Sequence, residues 1–223
     1  MSDTQYDAHS HAALIHGRYL VRRGAEMGEH PPLLVGCHGY GENAERHLAE
    51  LDAIPGIEKW LVVAPAALHR FYNSKTGEVI GSWMTSQDRE QAIADNVRYV
   101  SSVVAEAKRR FATSDTLAFA GFSQGVAMAW RAAVGCGWAC DGLIALAGDV
   151  PPDVAKRRVA KPPAVLLGRG TKDEWYTEAK MDADLAVLDK RGIEMESVVF
   201  KAGHVWTDEF RAAAGTFLDR LRG

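Results

Sequence analysis

Short apolar runs alternate with longer amphipathic stretches along most of the chain. Each run is four or five residues long and almost continuously hydrophobic, which is typical of parallel strands that are buried on both faces. The runs predict strands at residues 33–37, 60–64, 117–121, 143–147, 164–167 and 197–200. A further stretch at 14–21 is a candidate antiparallel strand at the N-terminal edge of the sheet.

Apolar positions with helical spacing follow most of the predicted strands. They predict helices at residues 44–51, 93–111, 126–134, about 174–190 and 210–221. Thr85 with Asp88 is a candidate cap for the long helix. The stretch 66–83 keeps no sustained period and is predicted to be a loop. Strands that alternate with helices predict a mainly parallel sheet with helices on both faces, forming one domain over residues 1–223.

Composition narrows the class of protein only a little. The chain is 47% hydrophobic and 25% charged, with a formal net charge of −3, so we expect no nucleic-acid partner. No apolar run reaches the ~20 residues that cross a bilayer, so we expect no stable membrane insertion. Residues 1–16 are polar and lack a secretory pattern, which predicts a cytoplasmic protein with its three cysteines reduced.

The most informative motif is G-F-S-Q-G at residues 121–125, between a predicted strand and a predicted helix. In this context Ser123 is a candidate nucleophile on a sharp strand-to-helix turn. Glycines two residues before and after the serine leave room for the chain to fold back on itself. The pentad alone is a weak signal in a glycine-rich chain, and its flanking elements strengthen it.

A serine nucleophile needs a base and a group that orients the base. Of eight histidines only His204 follows Ser123, and it comes directly after the last predicted strand. The acid is either Asp173 or Asp149, each of which follows a strand. Asp173 is favoured because its strand immediately precedes that of His204, although Thr171 and Glu174 would also explain this segment as a helix-capping box.

Acyl transfer also requires two N–H donors for the oxyanion. We expect the backbone amide of Gln124, next to the nucleophile, to be one of them. The second is predicted to be the amide of Tyr40, in the glycine-rich loop that follows strand 33–37. His38 in the same loop is interpreted as a bracing residue and not as a second base.

These motifs together resemble the phospholipase/carboxylesterase family of α/β-hydrolases, which includes acyl-protein thioesterases. The matching pieces are H-G-Y-G-E-N at His38, G-F-S-Q-G at Gly121, G-T-K-D at Gly170 and A-G-H at Ala202. The resemblance implies a triad of Ser123, Asp173 and His204, and an α/β-hydrolase fold. Family members often carry His-Gly before the acid loop, where this chain has Arg169-Gly170.

The expected function is hydrolysis of carboxylic ester or thioester bonds through an acyl-enzyme. Only residues 148–163 separate two consecutive strands, which is too short for a cap domain, so an open pocket is expected. The candidate substrate-binding residues are Phe71, Tyr72, Trp83 and Trp206. Met84, directly after the predicted loop 66–83, is also available for an acyl chain. No cluster of Arg or Lys near the motifs indicates a phosphate-bearing head group.

No histidine spacing is typical of a metal site, so neither a metal nor a cofactor is expected. The expected partner is a small-molecule or acyl ester substrate, and a homodimer is compatible with the sequence. Two alternatives remain open at this point. One is a serine peptidase of the same fold, and the other is a non-catalytic protein that kept the pocket.

Overall fold

A twisted seven-stranded sheet forms the centre of the computed structural model, which describes residues 6–157 and 159–222. The strands are β1 (Tyr19–Arg23), β2 (Leu33–Cys37), β3 (Leu61–Pro65), β4 (His69–Tyr72), β5 (Val79–Ser82), β6 (Leu117–Phe122), β7 (Gly142–Leu146), β8 (Ala164–Gly170) and β9 (Met195–Phe200). The central sheet has the order β1-β3-β2-β6-β7-β8-β9. Strand β1 is antiparallel to β3, and the remaining pairs are parallel. The first five residues of the polar N-terminus lie outside the described residues.

Helices cover both faces of the sheet. They are α1 (Ala44–Asp52), a short 3-10 helix (Ile57–Lys59), α2 (Arg89–Phe111), α3 (Gln124–Gly135), α4 (Pro152–Ala155), α5 (Glu178–Lys190) and α6 (Asp208–Leu221). Apolar residues of α2, α3 and α5 form one buried cluster with the sheet, and those of α1 and α6 form another on the opposite face. Burying each large apolar side chain contributes about 1.5–3 kcal/mol to stability. Because the inner strands are buried on both faces, nearly every residue in them is apolar, which explains the continuous runs in the sequence.

Parallel register brings the carboxyl ends of the inner strands to one edge of the sheet. Cys37 pairs with Gly121, Phe122 with Leu146, and Gly170 with Phe200. The loops that follow β2, β6, β7, β8 and β9 therefore leave the sheet side by side. Ligand sites in open α/β sheets form at this edge.

The predicted α/β architecture is confirmed, with corrections at four segments. The N-terminal strand begins at Tyr19, so much of the predicted stretch 14–21 precedes it. The predicted loop 66–83 contains the antiparallel hairpin β4–β5. All four residues of β4 are exposed, and no apolar alternation therefore marks this strand in the sequence.

The other two corrections concern helix starts. Helix α5 begins at Glu178, four residues later than predicted, because the Asp173 carboxylate accepts hydrogen bonds from the amides of Trp175 and Tyr176 and holds them in a turn. Asp88 precedes α2 in a left-handed conformation (φ 47°), and its side chain makes no capping hydrogen bond.

All three cysteines are free thiols in the interior. Among the helices of the described residues, none is both long enough and apolar enough to span a membrane.

Candidate active site

Ser123 lies on a tight turn between β6 and α3, with φ 53° and ψ −121°. This backbone conformation is strained for a residue with a side chain and is typical of functional sites. A Cβ atom on Gly121 would lie 2.5 Å from the Gly125 carbonyl oxygen, and one on Gly125 would lie 2.0 Å from that of Cys37. Only glycine fits at these two positions, which explains the spacing of the motif.

His204 is held by a buried carboxylate. Its Nδ1 lies 2.8 Å from Oδ2 of Asp173, whose side chain is 0% exposed. The other oxygen, Oδ1, accepts hydrogen bonds from the amides of Trp175 and Tyr176 at 2.8 and 2.9 Å. The tautomer that satisfies this contact donates its Nδ1–H to the Asp173 carboxylate, which leaves Nε2 as the acceptor.

The two candidate acids have different surroundings. Asp173 contacts His204, whereas Asp149 lies 3.4 Å from Nζ of Lys180 with a side chain that is 52% exposed. Asp149 does line the same pocket as Ser123 and His204. The geometry therefore pairs Asp173 with the histidine and leaves Asp149 in the pocket wall.

The loop after β2 supplies a free backbone donor near the serine turn. Among the described residues, the amides of Tyr40 and Gln124 donate to no protein acceptor. The neighbouring amides are occupied, since Gly39 N–H donates to the Glu42 carboxylate at 2.8 Å and Gly41 N–H donates to the Gly81 carbonyl at 3.0 Å. Unoccupied backbone donors, one of them next to the nucleophile, are the kind of group that an oxyanion site requires.

The side chain of His38 holds this loop in place with two hydrogen bonds. Its Nε2 accepts a hydrogen bond from the Ala67 amide at 3.0 Å, and its Nδ1–H donates to the Gly39 carbonyl at 2.7 Å. Burial lowers the pKa of His38, which favours the neutral ring that these two bonds need. Burial also raises the pKa of Glu42, and the bond from the Gly39 amide opposes that shift.

Two of the predicted pocket residues lie in the interior instead. Trp83 is fully buried and donates its indole N–H to the His38 carbonyl at 2.8 Å, while its amide donates to the Gln124 side chain at 2.9 Å. Trp206 packs against Phe210, with ring centroids 5.5 Å apart. Trp83 therefore supports the site through hydrogen bonds and Trp206 contributes packing alone, and the described pocket lining includes neither.

Phe71 and Tyr72 lie on the exposed strand β4. The Phe71 ring is 6.1 Å from that of Tyr40, at the outer side of the loop after β2. Their hairpin forms one wall of a separate cavity of about 500 Å³, lined also by His38 and Arg18. The lining of that cavity, within the described residues, does not include Ser123.

The pocket at Ser123 has a volume of about 280 Å³. Its apolar lining comes from Met84, Ala127, Ala147, Pro151, Pro152 and Trp175. Its charged lining comes from Arg89, Arg131, Lys180 and Asp149. The expectation that no cationic cluster lies near the motifs was therefore wrong.

Sequence reasoning missed most of this lining for a physical reason. Arg89 and Arg131 are 34 residues before and 8 residues after Ser123, and only the packing of α2 beside α3 brings them to one pocket. The sequence could have indicated Trp175 as a lining residue, because it follows the candidate acid Asp173 by two residues. No group of three or more metal-ligating side chains occurs in residues 6–157 and 159–222.

Solved structures with this fold include several hydrolases. Esterase PE8 superimposes with a TM-score of 0.73 at 22% identity, over 93% of this chain and 100% of that chain. The Bacillus cereus carboxylesterase gives 0.68 at 17% identity, over 92% and 94%. Zea mays acyl-protein thioesterase 2 gives 0.67 at 19% identity, over 93% and 100%. At these identities the likeness establishes the fold.

No functionally curated protein matches the sequence significantly. The family model described as Phospholipase/Carboxylesterase matches residues 24–221, which is nearly the whole chain. That match covers the serine turn, the Asp173 loop and His204. The chain is thus a hydrolase that belongs to the phospholipase/carboxylesterase family of α/β-hydrolases.

Proposed function

We propose that the protein is a serine esterase that hydrolyses carboxylic ester or thioester bonds of short acyl chains through a triad of Ser123, His204 and Asp173. The observation that carries the proposal is the 2.8 Å contact between His204 and the fully buried Asp173, in the pocket that also contains the strained Ser123. The match to the family supports the same reaction class.

In the first half of the reaction, His204 Nε2 takes the proton of the Ser123 hydroxyl as its oxygen attacks the substrate carbonyl. The carbonyl oxygen becomes negatively charged and is stabilised by the amides of Tyr40 and Gln124. The Asp173 carboxylate holds the tautomer of His204 and stabilises the imidazolium. The imidazolium then protonates the leaving alcohol or thiol, and an acyl-enzyme remains.

The second half repeats these steps with water. His204 removes a proton from a water molecule, which attacks the acyl carbonyl, and the returning proton releases Ser123 and a carboxylic acid. The unoccupied amides of Tyr40 and Gln124 serve both half-reactions, because each passes through a tetrahedral oxyanion.

The volume of the pocket favours small acyl groups. Ligand pockets commonly hold about 300–1,000 Å³, and this one holds about 280 Å³. Met84, Pro151 and Trp175 provide apolar surface for a few methylene groups. The corrected placement of Trp83 and Trp206 removes two residues that would have extended the acyl site.

The test is hydrolysis of p-nitrophenyl esters from acetate to palmitate, with a matched series of thioesters, by the wild type and by Ser123→Ala. We expect turnover to be greatest for short chains and to fall by at least about 10³-fold in the variant. Residual activity within tenfold of the wild type would contradict the role of Ser123. Failure of the wild type to react with a fluorophosphonate would favour a non-catalytic binding protein.

A further inference from the structure

We infer that the natural substrate carries an anionic group, a carboxylate or a phosphate, which Arg89 and Arg131 bind beside the scissile bond. The inference rests on the proposed esterase function and names the substrate class of that site. It starts from an imbalance of charge in the pocket. Its lining has three cationic side chains, those of Arg89, Arg131 and Lys180, and one carboxylate, that of Asp149.

Lys180 is already neutralised within the pocket. Its Nζ lies 3.4 Å from Asp149 Oδ2 and donates to the Trp175 carbonyl at 2.8 Å. These contacts use the only carboxylate in the lining, as far as the described residues extend. Of the two arginines, only Arg131 has an acidic partner among the described residues, and that partner, Asp153, lies outside the pocket lining.

Arg131 reaches the pocket from the interior. Its side chain is 6% exposed, and its Nε and Nη2 form a bidentate ion pair with Asp153 at 3.0 and 2.8 Å. Asp153 lines the neighbouring cavity and not this one, so Arg131 forms part of the partition between them.

The remaining nitrogen of Arg131, Nη1, has only weak contacts. They are the Met84 sulfur at 3.5 Å and the Ala127 carbonyl at 3.4 Å, and both residues line the pocket. A guanidinium carries five N–H donors, and two of them on Nη1 lack a strong acceptor here. An anionic oxygen in the pocket would supply that acceptor through a charge-assisted bond.

Arg89 lies across the pocket as the first residue of α2. Its side chain is exposed, and no carboxylate of the described residues lies within ion-pair distance of it. A buried arginine and an exposed arginine that line one pocket can both donate to an anionic group bound in it.

The apolar lining defines where that group lies. Met84, Ala127 and Pro151 line the same pocket as the two arginines and provide apolar surface suited to methylenes. The pocket of about 280 Å³ limits the length of the connecting chain. The geometry therefore favours an ester whose charge is a few carbons from the carbonyl.

The experiment compares esters that differ only in charge. The first pair is mono-p-nitrophenyl glutarate and its methyl ester, and the second is p-nitrophenyl 4-phosphonobutyrate and its dimethyl ester. For the wild type we expect kcat/KM to be at least about tenfold higher for one or both anionic esters, since a charge-assisted bond contributes about 1.5–3 kcal/mol. The pair with the larger ratio identifies the carboxylate or the phosphate as the preferred group.

Arg89→Gln should reduce the ratio of anionic to neutral kcat/KM roughly tenfold, and added salt should reduce it in the wild type. Arg98→Gln is the matched control, since Arg98 lies on the same helix with a 77% exposed side chain outside the pocket. Arg131→Gln, checked for folding by thermal melting, should also lower the ratio.

The outcomes separate the two proposals. Hydrolysis of all four esters with ratios near one, or ratios that Arg89→Gln and Arg131→Gln leave unchanged, would overturn the anionic substrate while leaving the esterase intact. Absence of hydrolysis of any ester by the wild type would overturn the esterase function, and the anionic substrate with it.

Discussion

The segments that follow β8 and β7 both place an aspartate at the candidate active site, and they are built in opposite ways. The Asp173 carboxylate is fully enclosed and makes short contacts with His204, Trp175 and Tyr176. The Asp149 carboxylate is half-exposed and makes one long contact with Lys180. The contacts of Asp173 fix the orientation and the tautomer of the His204 ring. Asp149 instead remains a charged side chain in the pocket wall, whose contacts can change with the substrate.

The two aspartates should differ most in their effect on rate. Asp173→Asn is expected to lower kcat by about 10³-fold or more, because an amide at this position no longer stabilises the imidazolium. Asp149→Asn is expected to change kcat by less than tenfold. Steady-state kinetics on a p-nitrophenyl ester measures both. A larger loss in Asp149→Asn than in Asp173→Asn would reverse the assignment of the acid.

The second prediction concerns how closely the backbone is packed around Asp173. A Cβ atom on Gly170 would lie 2.2 Å from the Gly203 carbonyl oxygen, so Gly170→Ala must push the Asp173 and His204 loops apart. We expect a loss of about 3 kcal/mol in the free energy of unfolding, which lowers Tm by about 6–12 °C. Thermal melting measures the effect.

Gly28→Ala is the control for that substitution, because a Cβ atom there has no neighbour within 4 Å. Its Tm should stay close to that of the wild type. Equal Tm values for Gly170→Ala and Gly28→Ala would show that the Asp173 segment is as adaptable as an open loop, and the contrast between the two aspartates would then lose its structural basis.

The smallest predicted effect comes from Asp184, which joins the two segments. Its Oδ2 accepts hydrogen bonds from the Val150 amide and the Tyr176 hydroxyl, both at 3.0 Å. Burial raises the pKa of Asp184 from 3.8 to about 6. The folded protein therefore binds the extra proton between these values, and this contribution to stability is lost as pH rises from about 4 to 6.

Asp184→Asn should remove that pH dependence. Relative to the wild type, its Tm is expected to rise by a few degrees between pH 4 and pH 7. His47 is buried with its pKa lowered to about 3, so it acts in the opposite direction, but it is present in both proteins and cancels in the difference. A difference in Tm that is constant with pH would contradict the shift at Asp184.

The sheet and most helices follow from signals that are local in sequence, whereas the choice of Asp173 and His204 followed from the order of strands and motifs along the chain. Continuous apolar runs gave the strands, and chain order selected His204. The hairpin β4–β5 gave no such signal, because the four residues of β4 are all exposed. The burial of Trp83 and the presence of Arg89 and Arg131 in one pocket depend on contacts across more than 40 residues, which no local pattern encodes.

The hairpin β4–β5 is joined to the loop of Tyr40 through strand β5, where Gly81 exchanges hydrogen bonds with Gly41 and Glu42 and the Val79 carbonyl accepts one from the Asn43 side chain. Its tip, around Lys75 and Gly77, is exposed and about 13 Å further along the strands. Loop tips of this kind accept insertions. A fluorophore attached at Lys75 would thus report optically on the loop that carries Tyr40, a candidate oxyanion donor, without entering the pocket at Ser123.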